Sequence, residues 1–236
     1  MLENLNLEHV LFLDIETVPL YKSYKDMPEN LRKLWDKKAG KLTTQQDPET
    51  AEELYNRAGI YAEFGKIICI SVGFVNGREF RIKSFYGDDE KLLLEEFSEM
   101  LNRYYSMPHH LLCAHNGKEF DFPYIARRML VNGLPLPQIL DLQGKKPWEV
   151  QHLDTMELWR FGDYKHYTSL NLLTTIFNIP SPKDDIDGSM VWKVYWEEND
   201  LERIVTYCQK DTLAVAQLLL RYMGKPLIKD ENIMIV

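Results

Sequence analysis

Apolar runs and polar stretches alternate along the N-terminal half of the chain in a pattern typical of β-strands. Val10–Ile15 is apolar and partly β-branched and ends beside acidic residues, so we expect a central strand there. Lys66–Val75 predicts another strand, and Asn76-Gly77 predicts a hairpin turn into a strand over Glu79–Phe85. Leu111–Ala114 predicts a short buried strand.

Helical spacing of apolar residues marks the segments between and after these strands. Helices are predicted over Asp88–Tyr105, Phe122–Val131, Leu170–Phe177 and Leu201–Tyr222, while Gln151–Trp159 combines strand and helix signals. Strands that alternate with helices, together with one early hairpin, predict an α/β domain with a mixed sheet.

A long polar segment, Tyr21–Glu63, interrupts this alternation after the first strand. Its part Lys22–Lys41 carries seven basic and three acidic residues, a local charge of +4. We expect a helical insertion or lid at about residues 21–63. Because the chain shows no repeat and no convincing linker, residues 1–236 are expected to form one domain.

The formal net charge is −8, from 28 Lys and Arg against 36 Asp and Glu. This balance argues against a protein that coats nucleic-acid backbones, because such surfaces are usually basic. It does not exclude an enzyme that acts on nucleic acid, because carboxylates that hold metal ions count among the acids.

The cysteine pattern and the N-terminus indicate a reducing compartment. Cys69, Cys113 and Cys208 stand far apart, without the spacing of a zinc site or a disulfide framework. The first residues lack the basic start and apolar run of a signal peptide, and no apolar stretch is long enough to span a membrane. We therefore expect a cytoplasmic protein without a membrane partner.

The first acidic motif, Asp14-Ile15-Glu16-Thr17, lies at the end of the predicted central strand. Residues two apart share one face of a strand, so Asp14 and Glu16 are expected to point the same way. Two carboxylates on one face of a buried strand repel each other unless a cation lies between them. A strand that simply ends at solvent would also explain the motif.

Two further motifs carry acids near predicted helices. Asn116-Gly117 is a turn signal, and Asp121 directly precedes a helix, where it could serve as an N-cap. Tyr207 and Asp211 lie four residues apart and project from one inward face of the last helix. A carboxylate on that face needs a partner, and a local hydrogen bond between these two side chains is the simpler alternative.

In their order and context, the three motifs resemble the DnaQ-like 3′–5′ exonuclease superfamily in its DEDDy branch. The family pattern is D-x-E at the end of the first strand, N-x(3)-F-D before a helix and Y-x(3)-D in a late helix. The matching residues here are Asp14, Glu16, Asn116, Phe120, Asp121, Tyr207 and Asp211. The DEDDh branch would place histidine where this chain has Thr206.

The resemblance covers roughly Val10–Tyr222 and is nearest to the proofreading exonuclease domain of family B DNA polymerases. It implies an RNase H-like fold, with a mixed, mostly five-stranded sheet and helices on both faces. The insertion at about residues 21–63 departs from the family pattern. The chain is expected to be such a domain without an attached polymerase.

The resemblance also implies a catalytic centre with two divalent ions, Mg²⁺ or Mn²⁺, which suit oxygen ligands. Asp14 would bridge the two ions, Glu16 and Asp211 would bind the ion on the nucleophile side, and Asp121 would serve the other. Tyr207 would orient the attacking water, because its ordinary pKa of about 10 makes it a poor general base near neutrality.

Four residues near these acids are candidates for substrate binding: Thr17, Asn116, Phe120 and Tyr124. Phe120 and Tyr124 could form a stacking wedge for unpaired bases, or they could belong to the core. Lys118, Arg127 and Arg128 are candidates for phosphate contacts. The basic segment Lys22–Lys41, with Tyr24 and Trp35, is the candidate for a mobile flap that faces the substrate.

The leading expectation is a 3′–5′ exonuclease that degrades single-stranded DNA from its 3′ end and releases nucleoside 5′-monophosphates. An RNase D-type exoribonuclease shares the DEDDy pattern and is the alternative enzyme. A non-catalytic nucleic-acid-binding module is the third alternative, which the presence of all four acids and of Tyr207 disfavours. A separate polymerase or DNA-repair partner is left open by the sequence.

Overall fold

The computed structural model of the chain describes residues 2–43, 48–163, 167–180 and 186–236. Within them, six strands form one mixed sheet in the order β5-β4-β1-β2-β3-β6. Their bounds are β1 Val10–Pro19, β2 Gly65–Asn76, β3 Glu79–Tyr86, β4 Leu111–Ala114, β5 Leu153–Asp154 and β6 Ile233–Ile235. The predicted first strand is therefore central.

Strand directions follow from the connections between the strands. β1, β2 and β3 are antiparallel neighbours, and the turn at Asn76-Gly77 closes the β2–β3 hairpin as predicted. β4 pairs in parallel with β1 and with β5, and β6 pairs in parallel with β3. The prediction of mostly five strands missed β6, which is short and joins the far edge of the sheet.

The described helices are α1 Glu29–Ala39, α2 Glu90–Tyr104, α3 Asp121–Val131, α4 Thr155–Arg160, α5 Leu170–Ile176, α6 Val191–Lys193 and α7 Leu201–Tyr222. A π-helical turn over Val194–Glu198 follows α6. The segment that combined strand and helix signals contains both, because β5 passes directly into α4. Among the described residues, no helix is both long and apolar enough to cross a bilayer.

Alternation along β1 assigns the helices to the two faces of the sheet. Leu11, Leu13 and Ile15 belong to the buried cluster that contains the apolar sides of α2 and α3. Val10 and Phe12 belong to the cluster that contains the apolar side of α7. Since side chains alternate along a strand, Asp14 and Glu16 continue the series that faces α7.

The insertion has an apolar cluster of its own, formed by α1 and a 3₁₀ helix over Glu53–Ile60. Trp35 is fully buried in this cluster, and its indole N–H donates to the Ala51 carbonyl at 2.7 Å. Trp35 itself therefore does not face a substrate, because this side chain holds α1 against the rest of the insertion.

Candidate active site

Strand β1 continues beyond the end of its ladder with β4. The last parallel pair joins Phe12 to Cys113, whereas the antiparallel ladder with β2 continues to Pro19. A register shift interrupts that second ladder between Glu16 and Thr17. Bulges of this kind redirect side chains and are common next to functional sites. The first acidic motif thus lies where β1 has one edge free of β4.

Asp14 and Glu16 point the same way, as the strand alternation predicts. One carboxylate oxygen of each and the Cys208 sulfur lie within 4.8 Å of one another. The Cys208 thiol donates to the backbone carbonyl of Asp14 at 3.4 Å and so connects α7 to the acidic end of β1.

Helix α7 brings the third motif to the same place. The Tyr207 hydroxyl is hydrogen-bonded to Asp211, four residues further along the helix. Burial, followed by the charges of Asp211, Glu16 and Asp14, raises the pKa of Tyr207 far above its ordinary value. The phenol therefore stays protonated and can act as a hydrogen-bond donor. The local Tyr–Asp bond exists, but it lies inside the acidic cluster.

Asp121 reaches the cluster from the opposite face. It begins α3, is 3% exposed, and accepts a hydrogen bond from the backbone N–H of Ile15. Burial is the main cause that raises the pKa of Asp121 to about 8, and the charge of Asp154 adds to it. The free edge of β1 thus supplies the donor that holds this carboxylate beside Asp14 and Glu16.

Burial and mutual repulsion make the cluster costly in the absence of a cation. Burial is the largest cause that raises the pKa values of Asp14 and Glu16 well above their ordinary range, and nearby carboxylates, including Asp211 and Asp121, raise them further. The Oδ2 atom of Asp14 is buried and has no hydrogen-bond partner among the described residues. Oxygen ligands of this kind suit Mg²⁺ or Mn²⁺, so the residues present fit such ions.

The candidate substrate residues differ in their surroundings. Asn116 has a left-handed backbone, with φ of 63°, and its side-chain oxygen is buried without a hydrogen-bond partner in the described part of the chain. Phe120 is partly buried, with its ring 5.3 Å from that of Tyr124. Thr17 is partly buried, and its side chain is hydrogen-bonded to Tyr124.

Tyr124 belongs to the core, which was one of its two predicted alternatives. The side chain is 2% exposed, and its hydroxyl donates to the Gly59 carbonyl at 2.6 Å. The ring therefore offers no open face on which a base could stack. Its position instead joins α3 to the insertion and, through Thr17, to β1.

The basic residues that are candidates for phosphate contacts also differ in their surroundings. Arg128 is 4% exposed and forms a buried ion pair with Glu90, at 2.6 Å between Nη2 and Oε2. It is unavailable to a phosphate, because its guanidinium also donates to the Ala62 carbonyl. Lys118 pairs with Glu157 at 2.6 Å, whereas Arg127 is exposed.

Sequence reasoning did not count Asp154 among the site residues. Its carboxylate accepts the backbone N–H groups of Asn116 and Lys118 and also those of Met156 and Glu157, at 3.0 to 3.2 Å. Asp154 thus caps α4 and holds the loop that leads to Asp121. The segment Gln151–Trp159 combines strand and helix signals, and its run His152-Leu153-Asp154-Thr155 resembles a strand motif of the exonuclease superfamily, but neither signal marked Asp154 as a site residue.

Two comparisons with known proteins show the family and the fold of the chain. A family model described as a predicted 3′–5′ exonuclease related to the exonuclease domain of PolB matches residues 60–227. The solved family B DNA polymerase of the hyperthermophilic archaeon Pyrobaculum calidifontis matches 90% of this chain with a TM-score of 0.52 and 17% sequence identity. The match covers 24% of the polymerase chain.

At this sequence identity, the structural match shows the fold alone, which is RNase H-like as the sequence predicted. The family match is independent of it and spans well over half of the chain, from the end of the insertion to beyond α7. The chain belongs to the family of predicted 3′–5′ exonucleases related to the exonuclease domain of PolB.

Proposed function

We propose that the protein is a metal-dependent 3′–5′ exonuclease that removes nucleoside 5′-monophosphates from the 3′ end of single-stranded DNA. The observation that carries the proposal is the convergence of acids from β1, α3 and α7 on one place, with a buried and unpartnered oxygen on Asp14. Family membership supports nuclease chemistry, and the acidic cluster supports its dependence on metal ions.

Asp14, Glu16, Asp121 and Asp211 would hold two divalent ions, Mg²⁺ or Mn²⁺. When bound, such ions supply an activated water and stabilise the charge on the leaving oxygen. The protein's own contribution is to keep these carboxylates together before any ion arrives. The Ile15 N–H orients Asp121, and the Tyr207 hydroxyl orients Asp211.

Tyr207 would hold the attacking water in place. Its raised pKa keeps the proton on the phenol, so the hydroxyl donates to Asp211 and does not act as a general base. A group that orients a water molecule can contribute through geometry alone, because a well-placed nucleophile avoids much of the entropic cost of reaction.

Asn116, Phe120 and Thr17 would contact the 3′-terminal nucleotide. The unpartnered side-chain oxygen of Asn116 can accept a hydrogen bond from a sugar hydroxyl or a base amine. Phe120 is the aromatic candidate for stacking, since Tyr124 is buried. Thr17 and Tyr124 act together as support for this wall of the site.

We also infer that residues 1–236 form one domain that includes the insertion, and that the protein works in the cytoplasm. The Cα of Gly59 in the insertion lies so close to β1 that an added Cβ would come within 2.9 Å of the Val18 backbone. The insertion therefore packs directly against β1 in this region.

The decisive experiment is degradation of 5′-labelled single-stranded DNA and of RNA with the same sequence, in Mg²⁺ or Mn²⁺. We expect loss of nucleotides from the 3′ end of DNA, no activity in chelator, and no activity in Asp14→Ala and Asp211→Ala variants. Degradation of RNA alone would assign the exoribonuclease alternative. Activity that survives both substitutions would refute the proposed site.

A further inference from the structure

A long groove begins beside the loop that carries the second acidic motif. It has a volume of about 800 Å³ and runs between α3, α4 and the segment that joins α3 to β5. Lys118 and Glu119, which lie between Asn116 and Asp121, form part of its wall. The groove therefore begins at the loop that also carries Asn116 and Asp121.

Trp148 lies on this groove and is 76% exposed. Its position is fixed by a 3₁₀ turn, in which the Lys146 N–H donates to a Glu149 carboxylate oxygen at 2.7 Å. The Lys146 ammonium lies 5.3 Å from the centre of the indole ring. An aromatic ring held in solvent by a defined turn is well suited to stack on a flat ligand.

The charges along the groove favour a polyanion. Its acids Glu119 and Glu157 are paired with Arg160 and Lys118 in the groove wall, and Asp154 accepts backbone N–H groups. Two further lining cations, Arg127 and Lys145, and the neighbouring Lys146 are exposed and form no ion pair with any described residue. The lining as a whole has four cations against three acids, a net charge of +1 in a chain of net charge −8.

We propose that this groove binds the upstream part of the single-stranded substrate, with a base stacked on Trp148 and phosphates held by Arg127 and Lys145. The inference rests on the proposed function and extends it from the 3′ terminus to the strand behind it. Aromatic platforms beside cations are the usual means by which proteins bind unpaired strands without reading their sequence. The groove would make long substrates bind more tightly than short ones.

The test compares oligothymidylates of about three and about ten nucleotides, a range set by typical site sizes for single strands. Binding is measured by fluorescence anisotropy in Ca²⁺, and cleavage is measured in Mg²⁺. Trp148→Ala should weaken binding of the long strand about tenfold, while binding and cleavage of the short strand stay unchanged. Tyr104→Ala is the matched control, because Tyr104 is 58% exposed beside Arg103 on α2, outside the groove.

A second variant tests the cations. Replacing Arg127 and Lys145 by alanine should reduce the slope of log affinity against log salt by about 0.7 for each lost phosphate contact. The groove proposal would be overturned if the wild-type protein bound strands of both lengths equally. It would also be overturned if Trp148→Ala lost affinity tenfold for both lengths. Either result would leave the proposed function intact. Absence of binding and cleavage for both lengths would overturn both. If a polyglutamate peptide displaces the long strand and needs Trp148 to do so, the groove would be assigned to acidic peptides instead.

Discussion

The carboxylate of Asp154 accepts a hydrogen bond from the backbone N–H of Asn116 at 3.0 Å, across 38 residues of chain. The same side chain accepts the N–H of Lys118 and caps the N-terminus of α4. One buried acid thus fixes the beginning of the loop that ends at Asp121. The loop cannot move toward or away from β1 without losing these bonds.

Replacing Asp154 with alanine should destabilise the protein by about 3 kcal/mol, because several backbone donors lose a buried acceptor. Asp154→Asn keeps one oxygen acceptor and should cost less. Denaturant unfolding measures both changes. Nuclease rate should fall in the same order as stability, with alanine lower than asparagine. An alanine variant as stable as the wild type would show that the loop holds its position without this acid.

Gly117 has a tight environment next to Asn116. A Cβ at this position would lie 2.5 Å from the Ala114 Cβ and 2.8 Å from the Phe122 ring. Gly117→Ala should therefore displace the loop, destabilise the fold by about 1–3 kcal/mol, and lower activity. Gly188→Ala is the control, since a Cβ there meets no atom of the described residues within 4 Å. Equal melting temperatures of the two variants would contradict the expected clash.

The local parts of this arrangement were predictable from the sequence. Asp14 and Glu16 share a face because side chains alternate along a strand, and Tyr207 meets Asp211 because helical residues four apart are neighbours. These rules act over a few residues. The motifs therefore identified the acids, and the approximate directions of their side chains, without any knowledge of the fold.

The long-range parts were not predictable in this way. The partner of Tyr124 is a carbonyl 65 residues earlier, and Arg128 pairs with Glu90, 38 residues earlier. Contacts over such separations leave no periodic pattern in the sequence. The sequence therefore could not distinguish the buried Tyr124 and Arg128 from exposed residues that bind substrate. β6 was missed for the same reason, since its three residues pair with a strand about 150 positions away.

Asp14→Asn should abolish cleavage and yet stabilise the protein in the presence of a chelator. The substitution removes a charge that Glu16 and Asp211 repel in a buried setting, so we expect a gain of about 1 kcal/mol in unfolding free energy. Glu96→Gln on the exposed side of α2 should change little. A loss of stability in Asp14→Asn would contradict the repulsion.

Mn²⁺ should reverse this order of stability. An ion that binds only the folded state stabilises it by about 2.7 kcal/mol at a concentration one hundred times its Kd. The wild-type protein should show such a gain in a thermal or denaturant titration, and Asp14→Asn should show much less. Equal gains in both proteins would show that the ion binds elsewhere.

Tyr207→Phe should separate catalysis from metal binding. Phenylalanine keeps the ring packing but removes the hydroxyl that contacts Asp211. We expect the cleavage rate to fall about 100-fold, while the affinity for Mn²⁺, measured by calorimetry, falls by a smaller factor, because Asp211 remains and loses only the hydroxyl that orients it. Tyr104→Phe removes a hydroxyl from an exposed ring and should leave both unchanged. A full cleavage rate in Tyr207→Phe would remove this residue from the mechanism.

His152 should make stability depend on pH below neutrality. Its Nδ1 accepts the Leu112 N–H at 3.2 Å, and its Nε2 lies 2.8 Å from the Ile139 carbonyl, so the folded ring is neutral with its proton on Nε2. Burial lowers the pKa of His152 to about 4. A second proton on Nδ1 would face the Leu112 N–H and destroy that bond.

The direction of this pH dependence follows from the unfolded chain, in which the histidine has a pKa of about 6.5. Above this pH both states hold a neutral ring and the full stability is present. As the pH falls from about 6.5 to about 4, the unfolded state binds a proton that the folded state rejects, which costs about 2 kcal/mol by pH 5. Urea unfolding of the wild type and of His152→Gln at pH 7 and pH 5 measures this. The glutamine variant cannot titrate, so the stability difference between the two proteins should shrink toward pH 5. Parallel losses in both proteins would assign the pH dependence to other groups.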